Sequence, residues 1–142
     1  MANPNNIALQ VTNSTGNALK VTGSRGTDLT NVQKGLVIPA NSSAIVATFV
    51  AGNWTQDRWD WVYLQDQGTS AKYQIYIELT AVTRRWYASF GYFNADSSES
   101  NSNPSPFPGS QYSNVAFDSA TATYSYQLLK TPPAQAGSAA GA

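Results

Sequence analysis

Apolar and polar residues alternate with a period of two through most of this chain, in short runs separated by turn-forming residues. Asn6 to Thr12 places Ile7, Leu9 and Val11 on one face and Ala8, Gln10 and Thr12 on the other, the pattern of a half-buried strand. Asn13-Ser14-Thr15-Gly16-Asn17 is turn chemistry, since Asn and Gly tolerate positive φ. Ala18 to Thr22 resumes the period with Leu19 and Val21 inward, which predicts an opening hairpin. Gly23 to Gln33 reads as a polar loop. Gly35 to Pro39 carries Leu36 and Ile38 in alternation, with Pro39 marking a strand end or an edge. Ser43 to Val50 is expected to bury Ile45, Ala47 and Phe49.

The middle of the chain is aromatic. Trp59 to Gln65 sets Trp59, Trp61 and Tyr63 on one face against Asp60, Val62 and Leu64 on the other. Lys72 to Thr80 is the most regular strand, with Tyr73, Ile75, Ile77 and Leu79 inward and Gln74, Tyr76 and Glu78 outward. Arg84 to Phe93 opposes Trp86, Ala88, Phe90 and Tyr92 to Tyr87, Ser89, Gly91 and Phe93. Residues 94–114 form a long Ser/Asn/Pro stretch without periodicity, in which Phe107 and Tyr112 are the anchors expected of an ordered excursion. Thr121 to Lys130 alternates again, with Tyr124, Tyr126 and Leu128 facing one way. The tail, residues 131–142, is rich in Pro, Ala and Gly and reads as a linker-like extension.

These runs predict an all-β fold, a two-sheet antiparallel β-sandwich of about eight to nine strands with no substantial helix. A chain of 142 residues has the mass of one domain, here residues 1–130, with enough chain to bury a core.

Composition narrows the chemistry. Eight basic and eight acidic side chains give no net charge, so the basic surplus that nucleic acid requires is missing. The absence of cysteine excludes disulfides and thiolate metal sites. The absence of histidine removes the usual general base near neutral pH and the commonest zinc ligand. Asp57, Asp60 and Glu78 are the carboxylates near the aromatics, and no spacing among them is specific for hydrolysis, so no enzyme activity, cofactor or metal is expected. The start, MANPNNIALQV, has neither a basic n-region nor an apolar h-region. The expectation is a soluble cytosolic chain made without a signal peptide, with any release by lysis or a non-classical route. Sequons at Asn13, Asn41 and Asn53 are read as chance matches in an Asn/Ser-rich chain.

Strands with large rings on both faces cannot direct all of them into one core. Outward Trp and Tyr clusters suit lipid head groups, sugar faces or another protein. Arg58, Arg84 and Arg85, with Asp57, Asp60 and Asp66, flank these rings. Their plainest use is ion pairing across neighbouring strands at the surface; their functional use is to hold a phosphate or a sugar hydroxyl.

The segments NIALQVTNSTGNALKV and GLVIPANSSAIVATF resemble the first half of actinoporin-like and aegerolysin-like β-sandwiches. GNWTQDRWDWVYL resembles the Trp/Tyr cluster that actinoporins place on phosphocholine head groups. The resemblance covers roughly residues 5–93. It implies Trp54, Trp59, Trp61 and Tyr63 as lipid-facing residues. The flanking charges and outward rings, read on their own, add Arg84, Arg85 and Tyr87 as ligand-binding residues. The amphipathic N-terminal helix of the pore-forming actinoporins is missing, as are the Cys and the WDCPW-type signature of aegerolysins. The expected function is therefore head-group binding on a membrane surface, as a cytolysin or toxin component beside a larger partner rather than a pore-former alone. Fungal fruit-body lectins resemble the same sandwich, so glycan binding is the alternative. A self-assembling structural protein is the third, since low charge, two-sided aromatic strands and an Ala/Gly tail suit subunit packing.

Overall fold

A computed structural model describes residues 6–50, 56–83, 85–94 and 104–135. Eleven strands and no helix occur among them. In chain order these are β1 (Asn6–Asn13), β2 (Leu19–Arg25), β3 (Leu29–Thr30), β4 (Val37–Ile38), β5 (Ser42–Val50) and β6 (Arg58–Asp66), followed by β7 (Lys72–Thr80), β8 (Arg85–Tyr92), β9 (Ser105–Pro106), β10 (Ser113–Asp118) and β11 (Thr123–Leu128). They form a five-stranded sheet ordered β10-β11-β1-β5-β3 and a six-stranded sheet ordered β4-β2-β6-β7-β8-β9. The all-β two-sheet sandwich expected from the alternation is therefore the fold. Among the described residues β1 pairs in parallel with β11 and every other pairing is antiparallel.

The expected opening hairpin does not form. β1 pairs with β5 and β11, whereas β2 pairs with β4 and β6, so the chain changes sheets between Asn13 and Leu19. Alternation says which residues face the core, and both strands do bury their apolar set, but it does not name a strand's neighbour. The crossing is held by Asn13, which is fully buried. Its Nδ2 donates to the carbonyls of Asn17 (2.7 Å), Ile38 (3.1 Å) and Pro39 (3.1 Å). Its Oδ1 accepts from Thr15 N (3.1 Å) and Thr15 Oγ1 (2.7 Å). One side chain thus ties the end of β1 to the end of β4 in the other sheet, and no glycan can sit on this asparagine.

The core lies between the layers. Ile7, Leu9, Val11, Val46, Ala47, Phe49, Tyr126 and Leu128 come from one sheet, and Leu19, Val21, Val62, Leu64, Tyr73, Ile75, Ile77, Leu79, Phe90 and Tyr92 from the other. One expected core residue is displaced. Leu9 faces Ala47 but Gln10 faces Ile45, so Val46 is the extra residue of a β-bulge. The bulge turns Val46 inward and leaves Ile45 exposed. The Tyr126 phenol crosses the core and donates to the Tyr76 carbonyl at 2.9 Å, a bond between the two sheets. Tyr126→Phe should cost about 1–2 kcal/mol in denaturant unfolding, because a buried hydroxyl bond is lost with little change in packing. An unchanged midpoint would show that the bond contributes nothing net.

The long Ser/Asn/Pro stretch is an ordered excursion wherever it is described; residues 95–103 lie outside the described set. Phe107 is its anchor, with ring centroids 4.9 Å from Tyr92, 5.6 Å from Phe90 and 5.7 Å from Tyr73. Tyr112 is half-buried, with the Lys130 ammonium 5.4 Å from its ring centroid. The tail begins attached to the sandwich rather than as a linker. Pro132 is buried and the Tyr92 phenol donates to the Pro133 carbonyl at 2.6 Å.

Candidate functional site

Register fixes which rings look away from the core. Asp60, Val62 and Leu64 are the inward set of β6, so Trp59, Trp61 and Tyr63 occupy the outer face of the six-stranded sheet. Across the sheet Trp59 stands opposite Glu78, which stands opposite Tyr87. Trp61 is opposite Tyr76, and Tyr63 is opposite Gln74. Two-sidedness is therefore real, but the broad exposed cluster expected from it is not. Trp61 and Tyr76 are each only 1% exposed, their ring centroids 5.7 Å apart. Tyr63 is half-buried and packs edge-on against Phe93 at 5.2 Å. Outward rings here first satisfy one another by edge and tilted contacts, which removes them from solvent. Trp59 stays half-buried and Tyr87 is exposed. Trp86 belongs to the core side, meeting Phe49 at 5.6 Å. Arg85 is exposed on β8. Trp54 and Arg84 lie outside the described residues.

Trp59 and Trp61 border an open cleft of about 510 Å³, whose other walls are Arg25, Gly26, Thr27 and Asp28 on one side and Gln56, Asp57 and Arg58 on the other. Local sequence builds it. β2 runs opposite β6 as far as the pair Arg25 and Trp61. Gly26 then takes a φ of 112°, in the left-handed region that favours glycine, and turns the chain over the start of β6. No side chain fits there, because a Cβ on Gly26 would fall 1.5 Å from Asp60 Oδ1. The loop is held by an ion pair between the Arg58 guanidinium and the Asp28 carboxylate, and by Val50 N donating to Asp28 O at 2.8 Å. On the far rim, Asp57 Oδ1 accepts from the Ala81 backbone N–H at 2.8 Å. That bond joins the cleft to the β7–β8 turn, where Val82 is 95% exposed.

Charges that could have paired at the surface are instead built into the fold. Asp66 is fully buried and caps the β6–β7 turn, its Oδ1 accepting from Gly68 N (2.8 Å) and Thr69 N (3.0 Å). Arg58 reaches back to a loop residue rather than to a neighbouring strand. Asp60 is 1% exposed; the Asp28 and Thr27 amides face its carboxylate without closing to full hydrogen-bond geometry, and Arg58 Nε, also buried, has no hydrogen-bond partner. Burial, and then the nearby Asp28 carboxylate, push the Asp60 pKa up to about 8, against a smaller opposing pull from the Asp28 and Thr27 amides and from Arg58. At neutral pH it is chiefly a carboxylic acid. Burial raises the Tyr63 phenol above its usual range, with Arg25, which is hydrogen-bonded to it, pulling the other way.

The cleft thus offers an indole wall, guanidinium N–H donors and an exposed carboxylate within one opening. Among the described residues no group of three or more carboxylates could hold a metal ion. Sequence reading reached Trp59, Trp61, Arg58 and Asp57, but treated Arg25 to Asp28 as an ordinary loop. The available signal was Arg58-x-Asp60 inside an otherwise apolar strand, since two charges on an inward face need a partner from elsewhere in the chain. Comparison with protein-family models, with curated proteins and with solved structures gave no match to this chain. No helix among the described residues is long and apolar enough to cross a membrane.

Proposed function

We propose that the cleft between the β2–β3 loop and the start of β6 recognises a zwitterionic phospholipid head group, docking the protein on a membrane surface. The observation that carries this reading is the junction of cleft and turn. The rim residue Asp57 is bonded to Ala81, and the adjacent Val82 stands almost wholly in water. An aliphatic side chain at a turn tip beside a polar cleft suits a ligand whose polar head enters the cleft while its acyl chains lie at the tip. A free sugar would give Val82 no partner. Zero net charge supports a neutral lipid surface, since attraction to anionic lipids needs a polybasic patch. The resemblance to actinoporin-like sandwiches points the same way, and the role that goes with it is that of one component beside a larger partner.

In this arrangement the quaternary ammonium rests on the Trp59 face near Asp57, and the phosphate meets the Arg25 side. Magnitudes limit the affinity. Burying Val82 contributes about 1.5 kcal/mol and a choline on one indole about 1 kcal/mol. Together they fall short of the ~4 kcal/mol of a millimolar site, so the phosphate contact must supply the rest and docking is reversible.

Co-sedimentation with phosphatidylcholine vesicles tests this. Trp59→Ala and Val82→Asp should each weaken binding by about five- to tenfold, and free monosaccharides should have no effect. Failure of the unaltered protein to bind any vesicle, or its displacement by a simple sugar, would overturn the proposal.

A further inference from the structure

Among the described residues the two sheets end on four edge strands, β10 and β3 in one and β4 and β9 in the other. β3, β4 and β9 are two residues long each, with Pro39 directly after β4 and Pro106 within β9. β10 is different. It runs for six residues, SNVAFD, pairs with β11 without a bulge, and carries none of the proline or lysine that keeps an edge from pairing. Leu129 N donates to Tyr112 O at 2.8 Å, so Tyr112 turns its polar groups towards β11. By the alternation of an antiparallel ladder, Asn114 and Ala116 do the same. The N–H and C=O groups of Ser113, Val115 and Phe117 therefore point away from the sheet.

We infer that β10 pairs antiparallel with β10 of a second copy of this chain, joining two five-stranded sheets into one of ten strands. A two-fold axis at Val115 sets Val115 against its own equivalent and Phe117 against Ser113 of the second copy, so every outward-pointing group meets another. Side chains agree with this register. Ser113, Val115 and Phe117 stand beside Leu128, Tyr126 and Tyr124 on the inner face. Phe117 packs on Tyr124 at 4.8 Å yet stays exposed, and Val115 is half-buried. Pairing lays the large Phe117 ring beside a small serine and covers both apolar groups. The same register sets Asp118 against Tyr112 of the second copy, whose ring carries the Lys130 ammonium 5.4 Å from its centroid. Each end of the joined strands thus brings an acid to a base, and a shift of two residues would set Asp118 against Asn114 or Ser110 instead. β10 and β3 are opposite edges of their sheet, so the cleft beside the β2–β3 loop stays open.

Sedimentation equilibrium of the full chain should show monomer and dimer exchanging with a dissociation constant of roughly 10–100 μM. Val115→Pro removes an outward-pointing donor without touching the β10–β11 ladder, and should weaken the dimer about tenfold or more. Asp118→Lys alters an exposed side chain and should weaken it about three- to tenfold, with Asp118→Lys plus Lys130→Asp restoring it. A monomer up to about 1 mM, an equally tight dimer in either single variant, or no recovery in the double variant would overturn the inference. In hydrogen exchange the Val115 and Phe117 amides should be protected in the dimer and open in dilute monomer. Protection in the monomer would show that another stretch of the chain holds this edge, and would overturn it equally. No lipid enters these measurements, so failure here and failure of the head-group reading are separable.

Discussion

Asp60→Asn should make this protein more stable at pH 9, by roughly 3–5 kcal/mol, although it removes a buried charged residue. The unfolded chain gives up the Asp60 proton near 3.8 and the folded chain near 8, so between those values the folded state holds one proton more. Stability therefore falls as pH rises through that window, by up to about 1.4 kcal/mol per unit, and levels off above it. Below the window both states hold the proton and the group contributes no pH dependence. Asparagine keeps the shape without the ionisation, so the variant's profile should lack this fall. Near pH 4 the two proteins should agree within about 1 kcal/mol, since a neutral amide replaces a neutral acid of nearly the same shape. Denaturant unfolding at several pH values reads this directly. Parallel profiles would mean that Asp60 is ionised in the folded state with a partner after all.

Asn13→Ala should be the most damaging truncation of a polar side chain away from the cleft, at about 3 kcal/mol. It strips partners from the Ile38 and Pro39 carbonyls and from the Thr15 amide, around a side chain that is itself fully buried. Asn13→Asp should be nearly as harmful, since it keeps the acceptor but loses the donor and adds a buried charge. A cost below about 1 kcal/mol for alanine would show that the crossing between sheets is held elsewhere.

How much of this was legible beforehand follows from what each residue depends on. The inward sets of β1, β2, β7 and β11 needed only a period of two, and Ile7, Leu9, Val11, Leu19, Val21, Ile75, Ile77 and Leu128 are all buried, whereas the period left the inner face of β6 open because both its faces carry large apolar groups. The partner of β1 was not legible, because it turns on five bonds of Asn13 to residues as far away as Pro39. The bulge at Val46 was hidden for a related reason: four apolar residues in a row, Ala44 to Ala47, fit either register. At the site, the aromatic segment was found, but its exposure was overestimated. Ring-to-ring contacts such as Trp61 with Tyr76 form only when neighbouring strands are in register. Asp60 was counted as a surface charge, and its role comes from a loop some thirty residues earlier in the chain.

The most direct measurement is an NMR titration of the full chain with a short-chain phosphatidylcholine kept below its micelle-forming concentration. Saturable shifts are predicted at the Gly26, Thr27 and Asp28 amides and the Trp59 indole N–H, with a dissociation constant of about a millimolar and little change along β10. Shifts spread evenly over the surface, or none that saturate at the cleft, would contradict head-group recognition at this site.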